Sequence, residues 1–231
     1  MINKSLVIGR QQRKLQSTLN MATLERNTSD CFSSDLSKTT ICNDETITTN
    51  EENHEEGNPL ESSWTFWLDK AVHGRTVNEY KENLKKIYTV STIQNFWAVY
   101  NNIPKVCEIQ NRYNYHLMRD EKLPLWEEEY NKKGGTWRFR CHKTDSELVW
   151  KEVVLAAIGE QFNDHISKDD EICGVTVSIR DRDDLIQIWN KNADLIQEST
   201  IIQKVQKLVP DIKFLGHFYR SHQSNFAYDR S

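Results

Sequence analysis

A tryptophan followed by three acidic residues is the most unusual chemical feature of this sequence. Trp126 follows Pro124 and Leu125, and Glu127, Glu128 and Glu129 come directly after it. Two interpretations are open. In the first, the indole is tucked beneath a solvated acidic loop, because tryptophan is highly buried on average. In the second, the indole is an exposed aromatic platform with a carboxylate beside it.

The second interpretation specifies a ligand. An aromatic face attracts a flat cationic ring by ~0.5–2 kcal/mol, and a carboxylate accepts two parallel hydrogen bonds from neighbouring donors. Guanine methylated at N7 offers both features, since its ring is positively charged and its N1–H and exocyclic amine lie on one edge. The pair Trp126-Glu127 therefore fits a site that stacks and reads a methylated guanine.

Alternating strand and helix patterns between Pro59 and Tyr219 must position these residues. The periodicity predicts strands at Trp64–Leu68, Tyr113–Met118, Thr136–Cys141, Gly174–Ile179, Leu185–Trp189 and Ile212–Tyr219. It predicts helices at Thr92–Tyr100, Ser146–Phe162 and Ser199–Leu208. Because short turns join most neighbouring strands, we expect an α+β domain with one antiparallel sheet, helices on one face and a free face for a ligand.

The N-terminal part of the chain has a different composition. Between Thr23 and Asn58 it is mostly Asn, Ser, Thr, Glu and Asp, and such a segment buries too little apolar surface to offset its chain entropy. We therefore predict a disordered tail over residues 1–57 and one folded domain over 58–231. The net charge of −4 argues against a long track for nucleic-acid phosphates.

Several function classes are excluded by missing patterns. The seven histidines form no H-E-x-x-H, and the chain has no G-x-S-x-G, Walker or Rossmann motif, so we do not expect an enzyme. The five cysteines form no C-x-x-C pair, which predicts reduced thiols in the cytoplasm and no metal or other cofactor. The acid-free first 24 residues resemble a weak mitochondrial transit peptide, with a disordered tail as the alternative. No apolar run approaches the ~18 residues of a membrane span.

Four further motifs carry a family resemblance. They are W-x-F-W at Trp64–Trp67, N-F-W-A-V-Y-N at Asn95–Asn101, W-K-E…I-G-E at Trp150–Glu160 and C-G-V-T-V-S-I-R…I-W at Cys173–Trp189. With the Trp126 loop, they resemble the eukaryotic translation initiation factor 4E family from Pro59 to Tyr219, and most closely its third class. The resemblance implies a single curved antiparallel sheet, three helices on its convex face and a site for the mRNA cap on its concave face.

The resemblance also assigns the base-binding residues. In this family the 7-methylguanine of the cap stacks between two aromatic side chains, which match Tyr80 and Trp126. Glu127 matches the carboxylate that reads the guanine edge, and Trp189 matches the residue at the N7 methyl group. The alternative for Tyr80 is a packed surface aromatic with no role in binding.

The phosphate-binding set is only half complete. Arg180 and Arg182 match two of the family's basic residues, whereas Thr136 and Leu185 stand where two others are expected. Each lost charge-assisted contact costs ~1.5–3 kcal/mol, so the resemblance implies weaker cap binding than in the main family members. The nearby cations available as replacements are Lys132, Lys133 and Arg138.

A second surface, on the helical side, is implied for a protein partner. In the family it receives a helical segment of the scaffold factor 4G or of a 4E-binding repressor. The matching residues here are Pro59, Leu60, Ile93, Trp97, Glu152 and Leu155. Lys151 departs from the leucine of the main members, and a charge in an apolar contact retunes partner choice.

Three functions remain open on the sequence. The first is a monomeric cap-binding factor that acts in translation initiation through a 4G-type scaffold. The second is a repressor or decoy that occupies the cap without recruiting the scaffold, an alternative that Lys151 keeps open. The third is an interaction protein that has lost cap binding, against which Tyr80 argues because both stacking positions are aromatic.

Overall fold

The computed structural model describes residues 57–72, 74 and 76–226. The tail predicted to be disordered, residues 1–57, lies outside the described residues except for Gly57. Its disorder and the domain boundary at residue 58 therefore stay predictions.

One antiparallel sheet of seven strands forms the framework of the fold. The strands are β1 (Pro59–Lys70), β2 (Lys85–Thr92), β3 (Tyr113–Arg119), β4 (Gly135–Cys141), β5 (Ile172–Ser178), β6 (Asp184–Asn190) and β7 (Gly216–Ser221). Their order across the sheet is β2-β1-β3-β5-β6-β4-β7. The predicted α+β class with a single curved antiparallel sheet is confirmed.

The helices are α1 (Val77–Asn83), α2 (Ile93–Tyr100), α3 (Ser146–Ile158), α4 (Ile201–Leu208) and the short α5 (Gln223–Phe226). The main core lies between the sheet and the buried sides of α2, α3 and α4, where Phe96, Val153 and Val205 are almost fully buried. We call this side of the sheet the helix face. The prediction of three helices on one face is thereby confirmed.

The opposite side of the sheet, which we call the pocket face, carries its own small apolar cluster. Trp67, Met118, Cys173 and Trp189 are buried together there, and Trp126 packs against them. Strand alternation separates the two faces, because successive side chains of a strand point to opposite sides. This cluster gives the pocket face a rigid floor next to the ligand site predicted from sequence.

Three of these strands and helices were not predicted: α1, β2 and the short α5. None of the residues of α1 is buried, so the helix has no apolar stripe; its signal is the capping box formed by Thr76 and Glu79. Strand β2 lies at the edge of the sheet and begins with two exposed lysines. The lysines interrupt the alternation of apolar and polar residues that would have predicted a strand.

Three predicted boundaries were wrong by four or more residues. Strand β1 begins at Pro59 rather than at Trp64. The last strand begins at Gly216 rather than at Ile212, because Ile212 and Phe214 pack on the core outside the ladder. Helix α3 ends at Ile158, where Gly159 caps it, rather than at Phe162. In the ranges that the structure covers, no helix is both long enough and apolar enough to cross a membrane.

Candidate functional site

A cavity of about 640 Å³ opens on the pocket face. Its walls come from α1, from the loop between β3 and β4, and from strands β3 to β6. Four residues predicted from sequence line it together: Tyr80, Trp126, Glu127 and Trp189. The fold thus brings together side chains that lie up to 109 positions apart in the chain, counted from Tyr80 to Trp189.

Trp126 combines the two interpretations left open by the sequence. Its side chain is half-buried and packs on the cluster of Trp67, Met118, Cys173 and Trp189. The same residue also lines the cavity. It is therefore anchored from below while it remains part of the cavity wall, an arrangement suited to stacking because the ring does not have to be ordered on binding.

The loop that carries Trp126 and Glu127 is held by its own polar contacts. The buried Asn131 side chain donates hydrogen bonds to the carbonyls of Leu123, at 3.1 Å, and Leu125, at 2.8 Å. Glu128 pairs with Lys81 of α1, with 2.6 Å between Oε1 and Nζ. This ion pair joins the two segments that carry Trp126 and Tyr80.

Tyr80 is fixed through its hydroxyl group. The side chain is half-buried. Burial, the charge of the Asp69 carboxylate and a hydrogen bond to that carboxylate raise the pKa of the Tyr80 phenol well above its usual range. The negative charge of Glu127 adds to this shift, which places that carboxylate close to the tyrosine. Tyr80 lines the cavity, as the interpretation of it as a stacking residue requires, and its role in binding stays a prediction.

A chain of buried polar groups runs beneath the cavity. The His116 ring bonds Asp69 through Nε2, at 2.6 Å, and Thr176 through Nδ1, at 2.8 Å. The Trp189 indole N–H donates to the same Thr176 hydroxyl at 3.0 Å. The chain therefore links Asp69, the hydrogen-bond partner of Tyr80, to Trp189 across four neighbouring strands.

Sequence reasoning missed Asp69, His116 and Thr176. None of the three belongs to a sequence motif. Only the register of β1, β3 and β5 shows that they meet, because His116 stands opposite Trp67 and Thr176.

His222 closes one side of the cavity and contacts Trp189. The two rings meet edge to face with centroids 5.0 Å apart, and His222 Nδ1 lies 2.7 Å from the Asn131 carbonyl oxygen. Burial lowers the pKa of His222 from its ordinary 6.5 to about 4. The ring is thus neutral at physiological pH, with Nδ1–H as the donor to Asn131.

This shift predicts a pH-dependent stability. Because the folded-state pKa of His222 is below its ordinary value, the unfolded chain binds more protons between pH 6.5 and pH 4. The stabilisation is complete above about pH 6.5 and falls as the pH falls through this window, by about 2 kcal/mol between pH 7.5 and pH 5.0. Urea unfolding of the wild type and of His222→Gln at both pH values measures it. Between pH 7.5 and pH 5.0 the free energy of unfolding should fall by about 2 kcal/mol more in the wild type than in the variant. Equal decreases in both proteins would contradict the lowered pKa of His222.

The predicted phosphate contacts are only partly assembled. Arg180 and Arg182 are both exposed in the turn between β5 and β6, and neither lines the cavity. Arg180 is nevertheless close to Arg138, which does line it: burial, then the positive charges of Arg220 and Arg180, lower the pKa of Arg138 to about 10. Thr136 is buried and accepts a hydrogen bond from Arg138 Nε at 2.9 Å.

The predicted partner residues lie at the start of β1 and on the helices α2 and α3. Ile93 is exposed at the start of α2, where its backbone N–H donates to the Asn58 carbonyl at 2.9 Å, next to Pro59. Trp97 is half-buried, 5.8 Å from the Tyr100 ring between centroids.

Helix α3 carries the other two predicted partner residues. Glu152 and Leu155 are half-buried on α3, and the charges of Glu147 and Glu152 contribute to raising the pKa of Tyr100, after burial. Leu148, which sequence analysis missed, is 49% exposed one turn before Glu152. The sequence signal for Leu148 is a leucine four residues before Glu152, which lies on the same side of the helix.

Comparison with known proteins agrees with this architecture. The family described as Eukaryotic initiation factor 4E matches residues 59–231. Eukaryotic translation initiation factor 4E-1 of Oryza sativa subsp. japonica is 37% identical over 135 residues, which is 58% of this chain and 58% of the rice protein. The corresponding Zea mays protein is 36% identical over 155 residues, 67% of this chain and 69% of its own length. The match thus spans less than two thirds of the rice relative.

Solved structures resemble the fold over most of their length. Caenorhabditis elegans eIF4E-3, in complex with the 4E-binding protein Mextli and a cap analog, has a TM-score of 0.63 and 26% identity, covering 74% of this chain and 95% of that one. Ascaris suum eIF4E-3 with an m2,2,7G cap has a TM-score of 0.60 and 26% identity, covering 72% and 92%. Because the family match covers the whole described domain from residue 59 onward, this chain belongs to the eukaryotic initiation factor 4E family.

Proposed function

We propose that this protein binds the 7-methylguanosine cap of messenger RNA in the cavity on the pocket face. The observation that carries the proposal is that Tyr80, Trp126, Glu127 and Trp189 line one cavity. Two stacking faces, one carboxylate and one apolar contact are the groups that a methylated guanine needs. The nematode relatives solved with a cap analog and with an m2,2,7G cap support the assignment.

Each side chain has a separate task in this proposal. Tyr80 and Trp126 stack on the two faces of the cationic base, with ~0.5–2 kcal/mol for each cation–π contact. Glu127 accepts hydrogen bonds from N1–H and from the exocyclic amine. A base that lacks these two adjacent donors cannot form both bonds, so Glu127 selects guanine. Trp189, fixed by Thr176 and His222, contacts the N7 methyl group.

The phosphates are held by fewer cations than in the main family members. Arg180 and Arg182 are the proposed contacts, and Arg138 supplies a positive charge at the cavity itself. Thr136 and Leu185 provide none. Cap affinity should therefore be weaker than with a full set of basic residues, by ~1.5–3 kcal/mol for each uncompensated contact.

The surface on the helix face is the proposed site for a helical segment of a 4G-type scaffold or a 4E-binding protein. Pro59, Leu60, Ile93, Trp97, Glu152 and Leu155 are the proposed contacts. The C. elegans relative was solved with the 4E-binding protein Mextli, which supports this use of the fold. The protein would then act in translation initiation as a monomeric member of the third class.

A repressor or decoy is the second candidate, and Lys151 favours it. Its exposed side chain stands directly before Glu152 on α3, where it adds a positive charge to the proposed contact surface. In both cases the protein binds without catalysis, through residues 58–231, in the cytoplasm. Binding of a 4G-derived peptide separates the two candidates.

Retention on a 7-methyl-GTP resin tests the proposed function. We expect the protein to be retained and to be eluted by free 7-methyl-GTP but not by the same concentration of GTP. The methyl group supplies the positive charge that makes stacking favourable. Equal elution by GTP would contradict a sandwich that depends on this charge.

A further inference from the structure

A large apolar side chain is exposed at the edge of the sheet beside the cavity. Phe218 of β7 is 47% exposed, and β7 is the outermost strand next to β4. The next residue in the strand, Tyr219, points to the other face and packs on the buried Trp137, with ring centroids 5.1 Å apart. Phe218 thus points away from the core and toward the pocket face.

The strand register places Phe218 in line with the cavity. Arg138 stands opposite Phe218 and Thr136 stands opposite Arg220. Directly opposite residues of an antiparallel pair point to the same face, and Thr136 and Arg138 both line the cavity. Phe218 and Arg220 therefore extend the cavity wall outward by one strand.

Positive charge accumulates along this extension. The Arg138 guanidinium lies over the Phe218 ring, 6.0 Å from its centroid. Arg138 feels the charges of Arg220 and Arg180, which help to lower its pKa. Among the residues described, none of these three arginines forms an ion pair, whereas Arg140 of the same strand pairs with Asp183 at 2.5 Å. The cluster lacks a counter-charge, so it favours a bound anion.

We propose that Phe218, Arg138 and Arg220 bind the first nucleotides of the RNA that follow the cap, with a base on the Phe218 ring and phosphates on the two arginines. The inference rests on the proposed cap site, with which this surface is continuous. Aromatic stacking beside cations is how proteins hold single-stranded nucleic acid, and one stacked base contributes ~1–3 kcal/mol. The protein would thereby bind capped RNA more tightly than the isolated cap.

The test measures the affinities of the wild type and of Phe218→Ala for 7-methyl-GTP and for a capped ribotetranucleotide, with the uncapped tetranucleotide as a third ligand. We expect the wild type to bind the capped tetranucleotide roughly tenfold more tightly. Phe218→Ala should lose most of this gain and keep its 7-methyl-GTP affinity within about twofold. Leu215→Ala is the matched control, because Leu215 is 45% exposed and lies just before β7.

Three outcomes would overturn the inference. Equal wild-type affinity for both ligands would show that the RNA chain makes no contact. An equal loss for both ligands in Phe218→Ala would show a structural role. If Phe218→Ala binds the capped tetranucleotide as much more tightly than 7-methyl-GTP as the wild type does, no base stacks on Phe218. The exposed ring would then be available to a protein partner. If the wild type does not bind 7-methyl-GTP, the proposed cap site itself fails, and a Phe218-dependent affinity for the uncapped tetranucleotide then decides this inference separately.

Discussion

Replacing Glu127 with glutamine is expected to lower the affinity for 7-methyl-GTP by roughly 30- to 1,000-fold. The carboxylate offers two charged acceptors to two adjacent donors on the guanine edge, whereas the glutamine amide offers one neutral acceptor and turns its NH₂ group toward a donor. The cost of leaving a charge-assisted contact unmade inside a cavity is about 2–4 kcal/mol. Because Glu127 is half-buried in the cavity wall, water cannot readily take over the lost contact.

Glu129→Gln is the matched control for this experiment. It removes the same charge from the same loop, but the Glu129 side chain is 85% exposed and 3.8 Å from Lys132. We expect its affinity to stay within about twofold of the wild type, since an exposed pair contributes little. Calorimetric titration of the three proteins measures the difference. If both variants lose a similar amount of 7-methyl-GTP affinity, Glu127 contributes only its negative charge and not specific hydrogen bonds to the guanine edge.

Replacing Trp97 with alanine is expected to abolish binding of a 4G-type helical peptide while leaving cap binding intact. The indole is half-buried on α2, between the exposed Ile93 and the Tyr100 ring. Tryptophans in such positions typically contribute at least ~2 kcal/mol to an interface, about 30-fold in affinity. The cavity lies on the other face of the sheet, so 7-methyl-GTP binding measures whether the variant is folded.

Two further observations would decide what this surface does. Lys151→Leu should strengthen peptide binding if the lysine weakens an apolar contact, as its exposed position next to Glu152 indicates. If no 4G-derived peptide binds the wild type, scaffold recruitment is ruled out and the repressor or decoy candidate is favoured.

The sequence predicted the parts of the fold that bury a continuous apolar stripe. Helix α2, with Thr92 as its cap, and the strands that carry Trp137 and Trp189 all follow from local periodicity. Trp126 and Glu127 stand out by composition alone. Tyr80 does not, because α1 has no buried residue and only the family resemblance assigned it to the site.

The rest depends on strand pairing, which local patterns do not specify. Asp69, His116 and Thr176 lie on three different strands, and their hydrogen bonds exist only in the observed register. The alignment of Phe218 and Arg220 with the cavity likewise depends on the pairing of β7 with β4. A one-residue shift of that pairing would turn both side chains to the helix face.

The most direct test of the cap-binding proposal is the ratio of the affinities for 7-methyl-GTP and GTP, measured by calorimetry on the unmodified protein. The two ligands differ by one methyl group and by the positive charge that it places on the base. With stacking on both Tyr80 and Trp126, we predict that 7-methyl-GTP binds at least about tenfold more tightly. Equal affinities would contradict the proposal that these two aromatic side chains hold a cationic base.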